Sequence, residues 1–257
     1  MEINNTNYFS PEANTTYMSV SQFKSFRDCE AKAMAEIRGE YQRVPSKDLL
    51  MGSYVDAYFS DELDAFTGKH PELFNKRTGE LKADYKRCDE LVQRAERDEL
   101  FMQYMDGSKQ VVMTGELFGI QWKVKVDVLH DDKIVDLKLM RDMEPLYKDG
   151  ERKTFIDAWG YDIQGFVYQH IVKQNTGNDL PFYLAVITKE TTPDIEIIHI
   201  PQYRLNSAGE LVKYYAPKYA EIKAGKVEPK RCGKCDWCKE SKKLVKPLEY
   251  EDLIERL

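Results

Sequence analysis

Two carboxylates and a lysine lie in neighbouring segments of the chain whose sequence pattern predicts β-strands. Valine alternates with charged residues in KVKVDV over 123–128, and Asp136 and Lys138 alternate with apolar residues in IVDLKL over 134–139. A period of two is typical of half-buried strands, and the polar residues HDDK between the segments predict a hairpin turn. Pairing of the two strands would place Asp127, Asp136 and Lys138 together on the polar face of the hairpin.

These side chains have the chemistry of metal-assisted hydrolysis. Carboxylate oxygens suit magnesium or manganese, and the backbone carbonyl of Leu137 offers a further oxygen ligand. The ammonium group of Lys138, when partly desolvated, can orient or deprotonate an attacking water. The same residues could instead form a solvated hairpin face with a surface ion pair, and this stretch alone leaves both interpretations open.

The order of these residues resembles the D…(D/E)-x-K signature of the PD-(D/E)XK nuclease superfamily. Asp127 matches the first carboxylate of the signature, and Asp136, Leu137 and Lys138 match its second part. The resemblance implies that Asp127 and Asp136 hold the cation and that Lys138 acts on the water.

Two further motifs resemble the RecB-like branch of that superfamily. Gln164 and Tyr168 match the Gln-x-x-x-Tyr helix motif, and residues four apart project from one helix face. The resemblance implies that they contact the scissile phosphate or the DNA backbone. Upstream, the segment GSYVD from Gly52 to Asp56 resembles a Gly-x-x-x-His helix motif, with aspartate in place of histidine. Asp56 can still ligate a metal but lacks the proton-transfer option of histidine, and it could also be a surface or capping carboxylate.

Over nearly the whole chain, the likeness is to phage and prophage exonucleases similar to RecE, or exodeoxyribonuclease VIII. This resemblance implies an α/β fold with a restriction-endonuclease-like core, in which helices flank a central mixed sheet. It also implies one exonuclease domain over residues 1–257.

The same resemblance implies a function. A RecE-like chain is a Mg²⁺- or Mn²⁺-dependent exodeoxyribonuclease that digests linear double-stranded DNA from its ends, 5′ to 3′. The 3′ single strands that remain would receive a phage single-strand annealing protein of the RecT type for recombination. Related enzymes form rings around DNA, which implies a homo-oligomer.

Two alternatives stay open at this point. The chain could be a non-catalytic DNA-end-binding protein with a structural metal cluster and a decayed nuclease site, an interpretation that Asp56 in place of histidine keeps open. It could also be a CRISPR- or repair-type iron–sulfur exonuclease with the same core.

Three cysteines near the C-terminus form a second candidate metal site. Cys232, Cys235 and Cys238 make up a C-x-x-C-x-x-C motif, in which three thiolates of a tight loop converge easily on one centre. A fourth ligand must come from elsewhere in the chain. Cys88 lies in a predicted helix without a motif around it, where a small buried side chain is expected.

Cys29 is the expected fourth ligand because of a resemblance. It lies in a helix predicted over 17–39, which resembles the opening helix of iron–sulfur nucleases such as the AddB nuclease domain. There, one N-terminal cysteine joins three cysteines near the C-terminus. The resemblance implies a [4Fe–4S] cluster, and zinc stays open because C-x-x-C is also half of a zinc-knuckle site.

The charge distribution is uneven along the chain. The net charge is −6, yet the segment 213–246 carries eleven Lys and Arg against four Asp and Glu, a net of +7. A basic face attracts phosphates, although a solvated lysine-rich helix has the same composition. A charged, loop-like stretch is also expected over 141–153. The candidate DNA contacts in these two segments are Arg141, Arg152, Lys153, Lys230 and Arg231.

The remaining expectations concern compartment and chain ends. No apolar run approaches 18 residues, so no membrane span is expected. The first residues have neither the basic nor the apolar region of a signal peptide, which predicts the cytoplasm of a bacterial host. Residues 1–16 are predicted to form a flexible lead into the first helix.

Overall fold

A five-stranded mixed sheet forms the centre of the protein, which was analysed as a computed structural model that describes residues 1–148, 150–247 and 249–251. The strand order is β1-β2-β3-β6-β7. The strands of the sheet are β1 (Ser108–Leu117), β2 (Ile120–Leu129), β3 (Ile134–Met140), β6 (Phe182–Thr188) and β7 (Ile195–Ile200), and a separate hairpin consists of β4 (Leu146–Lys148) and β5 (Glu151–Lys153). All neighbouring pairs of the sheet are antiparallel except β3 and β6, which are parallel.

Helices lie along both faces of the sheet. The helices are α1 (Pro11–Thr16), α2 (Val20–Asp28), α3 (Glu30–Arg38), α4 (Lys47–Phe59), α5 (Leu63–Lys69), α6 (Ala83–Glu96), α7 (Glu99–Met105), α8 (Phe155–Trp159), α9 (Tyr161–Thr176), α10 (Gln202–Lys223) and α11 (Asp236–Glu240). Helices α8 and α9 make the crossover that a parallel pair such as β3 and β6 requires. Among the described residues, no helix combines the length and apolarity of a bilayer span.

Alternation along the strands divides the apolar side chains between two cores. Val126 and Ile134 pack with residues of α2, α9 and α10 on one face. Val135 and Leu137 pack with residues of α4, α6 and α7 on the other face. The predicted alternation along β3 is therefore confirmed, and it leaves Asp136 on the side of α9.

The prediction of a flexible lead over residues 1–16 is wrong. Residues Pro11–Thr16 form α1, and the Ser10 hydroxyl caps this helix by accepting the Ala13 N–H. The segment covers β2, where Lys123 is only 1% exposed and its ammonium group donates to the Tyr8 carbonyl and to Asn14 Oδ1. The alternation places Lys123 among the charged residues of β2, and the N-terminal segment buries it nonetheless.

The prediction of a single helix over 17–39 is also wrong, because the helix is interrupted at Cys29, which separates α2 from α3. Cys29 has extended backbone angles, with φ −164° and ψ 111°, and it lies between the two helices. The stretch predicted as loop over 141–153 contains the hairpin of β4 and β5. The single domain predicted over 1–257 includes residues 149, 248 and 252–257, which lie outside the described residues.

Close packing between α9 and α10 depends on the absence of a side chain at Gly209. A Cβ built there would come within 2.3–2.7 Å of the Phe166 ring. We predict that Gly209→Ala lowers the free energy of unfolding by about 1–3 kcal/mol, because the overpacked helices must shift. Chemical denaturation measures this change.

The matched control is Gly68→Ala in α5, where nothing lies within 4 Å of the added Cβ. That variant should be neutral or slightly stabilising, since alanine has the higher helix propensity. Equal stabilities of the two variants would contradict the packing described here.

Candidate active site and cysteine cluster

The candidate site lies where β2 and β3 separate. These strands pair only at Val128 with Val135 and at Leu129 with Ile134. Beyond this point, the Leu137 N–H donates to Asp127 Oδ2 at 2.9 Å. The Asp127 side chain thus occupies the gap between the strands and satisfies a donor that would otherwise be buried without a partner.

Asp136 lies opposite Asp127 and is held by two side chains. It is 1% exposed, and its Oδ1 accepts a hydrogen bond from Gln164 Nε2 at 2.6 Å. Its Oδ2 is paired with the Lys138 ammonium group. Lys138 also donates to the Leu137 carbonyl at 3.2 Å. The structure therefore brings together the predicted residues of β2, β3 and α9.

Asp56 approaches the same place from α4. Its Oδ1 accepts a hydrogen bond from Gln110 Nε2 at 3.0 Å. Asp56, Asp127, Lys125 and Tyr168 line one cavity of about 720 Å³. Asp56 thus faces the cavity with Asp127, and a purely surface or capping role does not fit this position.

Burial makes negative charge on the carboxylates of this cavity unfavourable. Burial raises the pKa of Asp127 well above its usual range, and the neighbouring charge of Asp136 raises it further. Burial likewise raises the pKa of Asp56. Carboxylates in this environment need a cation to remain ionised, and oxygen donors are the ligands of magnesium and manganese. The donor set therefore fits a divalent cation.

The neighbouring carboxylates favour the ammonium form of Lys138. Burial alone would lower its pKa, but the charges of Asp136 and Asp127 outweigh burial and raise the pKa above its usual range. An ammonium group donates hydrogen bonds and accepts none. In this form Lys138 can donate a hydrogen bond to a water molecule.

Tyr168 and Gln164 have protein partners in this structure. The Tyr168 hydroxyl donates to the Lys125 carbonyl at 2.9 Å, and its ring is 8% exposed. Gln164 binds Asp136, as described above. Their contact with a phosphate or with the DNA backbone stays a prediction.

Three residues at the site were not predicted from the sequence: Gln110, Lys24 and Tyr161. Gln110 has φ +52° and lies in β1 level with Asp127, so its contact with Asp56 depends on strand register and on no motif. Lys24 of α2 and Lys138 both place Nζ near the Tyr161 ring, at 5.1 and 5.2 Å from its centroid. Burial lowers the pKa of Lys24 to about 7, and the Lys138 charge lowers it as well.

The predicted DNA contacts have different environments. Arg141 is exposed and pairs with Asp142, while Arg152 and Lys153 belong to β5. Lys230 is exposed. Arg231 donates to the Cys238 carbonyl and to Ser241 Oγ, at 3.0 and 2.7 Å. Arg231 therefore supports the cysteine loop, whatever its contact with DNA.

Four cysteines lie together at the chain ends, in the cysteine cluster Cys29, Cys232, Cys235 and Cys238. Their sulfur atoms are all within 4.8 Å of one another. Cys238 Sγ lies 3.6 Å from Cys29 Sγ and 3.9 Å from Cys232 Sγ. The break between α2 and α3 turns Cys29 toward the loop before α11.

Backbone contacts fix the two ends beside this cluster. The Ala31 N–H donates to the Lys230 carbonyl at 3.0 Å, and the Lys230 N–H donates to Glu30 Oε2 at 2.8 Å. The fifth cysteine, Cys88, is fully buried in α6 outside the cluster, as expected for a small apolar side chain.

Comparisons with known proteins agree on the class of core. The family model described as "PDDEXK-like domain of unknown function (DUF3799)" matches residues 19–241. The structure is also similar to the crystal structure of a protein from Eubacterium rectale described as "putative exonuclease", with a TM-score of 0.95 and 47% sequence identity over 98% of each chain. Among the curated proteins, none matches. The predicted α/β core with a central mixed sheet is confirmed.

The raised pKa of Asp127 generates a prediction about pH. A carboxyl group whose folded pKa is raised stabilises the fold at low pH and loses that contribution as pH rises through the folded pKa. The ionised, metal-free site is therefore the less stable one, and Mg²⁺ must compete with protons for it. We predict that the rise in Tm on adding Mg²⁺ grows as the pH rises through the raised pKa of Asp127.

Differential scanning fluorimetry of the chelator-treated protein, with and without Mg²⁺, measures this rise. In Asp127→Asn, which cannot titrate, the rise should be small and independent of pH. A rise that is equal at all pH values in the wild type would contradict a cation held by Asp127.

Proposed function

Because the chain belongs to the family of PDDEXK-like domains DUF3799, we propose that it is a metal-dependent exodeoxyribonuclease acting on the ends of linear double-stranded DNA. One observation carries this proposal: Asp56 and Asp127 line one cavity at the gap between β2 and β3, and the ion pair of Asp136 with Lys138 flanks the Leu137 N–H that binds Asp127. The similarity to a protein described as an exonuclease supports the same class of activity.

The roles follow from the contacts of each residue. Asp56, Asp127, Asp136 and the Leu137 carbonyl would hold Mg²⁺ or Mn²⁺, which supplies stabilisation of the charge on the leaving oxygen when bound. Gln164 fixes the orientation of Asp136 through its 2.6 Å hydrogen bond.

Lys138 completes the set as the donor that orients the attacking water for in-line attack on the phosphodiester. Lys138 and Asp136 belong to the same strand, so the water that Lys138 orients would keep a fixed distance and direction from the cation ligands. Tyr168, anchored on the Lys125 carbonyl, forms a rigid wall of the cavity beside them.

Finer parts of the proposal rest on the resemblance to RecE-like enzymes. They are digestion from 5′ to 3′, 3′ single strands as the product, and recombination with an annealing protein of the RecT type in a bacterial host cytoplasm. A ring-shaped homo-oligomer belongs to the same set. The basic segment 213–246, with Lys230 exposed, would contact the DNA backbone together with Arg141, Arg152 and Lys153.

We also propose that the cysteine cluster binds a structural metal that joins the N-terminal helices to the basic segment within one domain. Closing a loop of about 200 residues restricts the unfolded chain and so stabilises the fold. The likeness to the AddB nuclease domain supports a [4Fe–4S] cluster. The sulfur separations of 3.6 and 3.9 Å support a single zinc ion, since Zn–S bonds of about 2.3 Å in a tetrahedron place sulfurs roughly 3.8 Å apart.

The nuclease proposal predicts a pattern among three variants. On linear duplex labelled at the 5′ or the 3′ end, the wild type with Mg²⁺ should release label progressively, and chelator should stop it. Asp136→Ala and Lys138→Ala should each lower kcat by at least about 10²-fold, and Lys138→Ala should keep its affinity for DNA because it acts on the water.

The matched control is Asp131→Ala, an exposed carboxylate in the turn between β2 and β3, which should cut at the wild-type rate. Cutting by Lys138→Ala at that rate would remove its catalytic role. Binding of DNA ends by the wild type without cutting under any divalent metal would leave an end-binding protein in place of the nuclease.

The cysteine proposal predicts a bound metal in protein purified without oxygen. About four irons per chain and a brown colour are expected for [4Fe–4S], whereas one zinc and no colour are expected for the tetrahedral ion. Elemental analysis and visible absorbance distinguish them. Cys29→Ser should lose metal and lower Tm, and Cys88→Ser, the control outside the cluster, should keep the metal. Metal-free wild type with an unchanged Tm would contradict this proposal.

A further inference from the structure

The N-terminal segment, residues 5–17, is a fixed wall of the active-site cavity. Lys123, beneath it, donates to Asn14 Oδ1 at 2.7 Å. Lys223 of α10 donates to the Asn14 and Tyr17 carbonyls at 2.9 and 2.7 Å. Two half-buried or buried ammonium groups therefore hold the segment against the sheet, so the side chains that it presents to the cavity have fixed positions.

Tyr8 and Phe9 project from this segment in opposite environments. Tyr8 is 7% exposed, and burial raises its pKa above the usual range, with a smaller contribution from the nearby charge of Asp127. Phe9 is 73% exposed, and its ring stands edge-on to the Tyr8 ring with centroids 4.9 Å apart. Both residues line the cavity that contains Asp127 and Asp56. The buried ring positions the exposed ring beside the candidate reaction centre.

The surroundings of Phe9 indicate the ligand that its ring would take. Lys125 Nζ lies 6.0 Å from the centroid of the Phe9 ring, and Lys69 and Phe66 of α5 line the same cavity. An exposed aromatic ring beside lysines is the composition with which proteins bind single strands, since bases stack on the ring and phosphates meet the cations. A volume of about 720 Å³ is large enough for a nucleotide.

We propose that Phe9 stacks on the base of an unpaired nucleotide next to the scissile phosphate. It is then a specificity-determining residue, because a base within an intact duplex has both faces covered by its neighbours and cannot stack on a protein ring. The inference rests on the proposed nuclease function and goes beyond it: it assigns the frayed or single-stranded nucleotide as the form of DNA that enters the cavity.

A double-mutant cycle between the protein ring and the DNA base tests this contact. Binding is measured by fluorescence anisotropy in the non-cutting Lys138→Ala protein, on duplexes with a short single-stranded end. One series of DNAs replaces each base of that end in turn with an abasic nucleotide. Phe9→Ala should weaken binding to the intact DNA about tenfold or more, and Phe9→Trp should restore it.

At one position of the series, the abasic nucleotide should weaken DNA binding by the protein that keeps Phe9. The same abasic nucleotide should cause no further loss of binding in Phe9→Ala. Tyr203→Ala, a 72% exposed aromatic outside this cavity, is the matched control and should bind as Lys138→Ala alone. Thermal unfolding of Phe9→Ala should match that of the control, because the ring buries little surface.

Two results would overturn the inference while leaving the nuclease proposal in place. The first is an affinity for DNA that is unchanged in Phe9→Ala. The second is that, at every position of the series, the loss of binding free energy from Phe9→Ala and the loss from the abasic nucleotide are additive. If Lys138→Ala and the wild type bind no DNA of any form, the proposed function itself fails, and this inference fails with it.

Discussion

The candidate site depends on the early separation of β2 from β3. Only two residue pairs join these strands, and the next donor, the Leu137 N–H, binds the Asp127 carboxylate in place of a backbone carbonyl. A buried N–H must have an acceptor, so this substitution keeps the sheet intact while it directs a carboxylate into the gap. The helices of the two faces can then both reach the site: α9 supplies Gln164 and α4 supplies Asp56.

The gap has an electrostatic cost that the other contacts of the site offset only in part. Asp127 and Asp56 line the same cavity, and burial raises the pKa of both. Lys138 pairs with Asp136, and Gln110 and Gln164 donate to carboxylate oxygens, yet the pKa values of Asp127 and Asp56 remain raised. A fold stabilised elsewhere can hold such a site, and a divalent cation is the group that relieves it. The metal proposed for the cysteine cluster would have a structural role, since the cluster brings Cys29 beside Cys232, Cys235 and Cys238, about 200 residues later in the chain.

Local pattern was enough to predict much of this arrangement. A period of two located β2 and β3, which the structure shows as Ile120–Leu129 and Ile134–Met140. Spacing placed Gln164 on one helix face with Tyr168. These features follow from side-chain direction within one element, which sequence periodicity reports.

Contacts between distant segments were beyond the same reasoning. Lys123 belongs to the polar set of its strand, and only the N-terminal segment, more than 100 residues earlier, buries it. Cys29 lies in an apparently continuous helical pattern, and the break there is held by Ala31 and Glu30 binding Lys230, about 200 residues later. Gln110 reaches Asp56 because of strand register, which no short motif encodes. Tertiary contacts of this kind override local propensity.

The central claim is that the gap between β2 and β3 is a divalent-cation site, and the anomalous scattering of Mn²⁺ in crystals of this protein tests it most directly. The account predicts an anomalous peak within coordination distance of carboxylate oxygens of both Asp127 and Asp136, about 2.0–2.6 Å, and its loss in Asp127→Asn. A fully occupied manganese elsewhere, with none between these two carboxylates, would contradict the account.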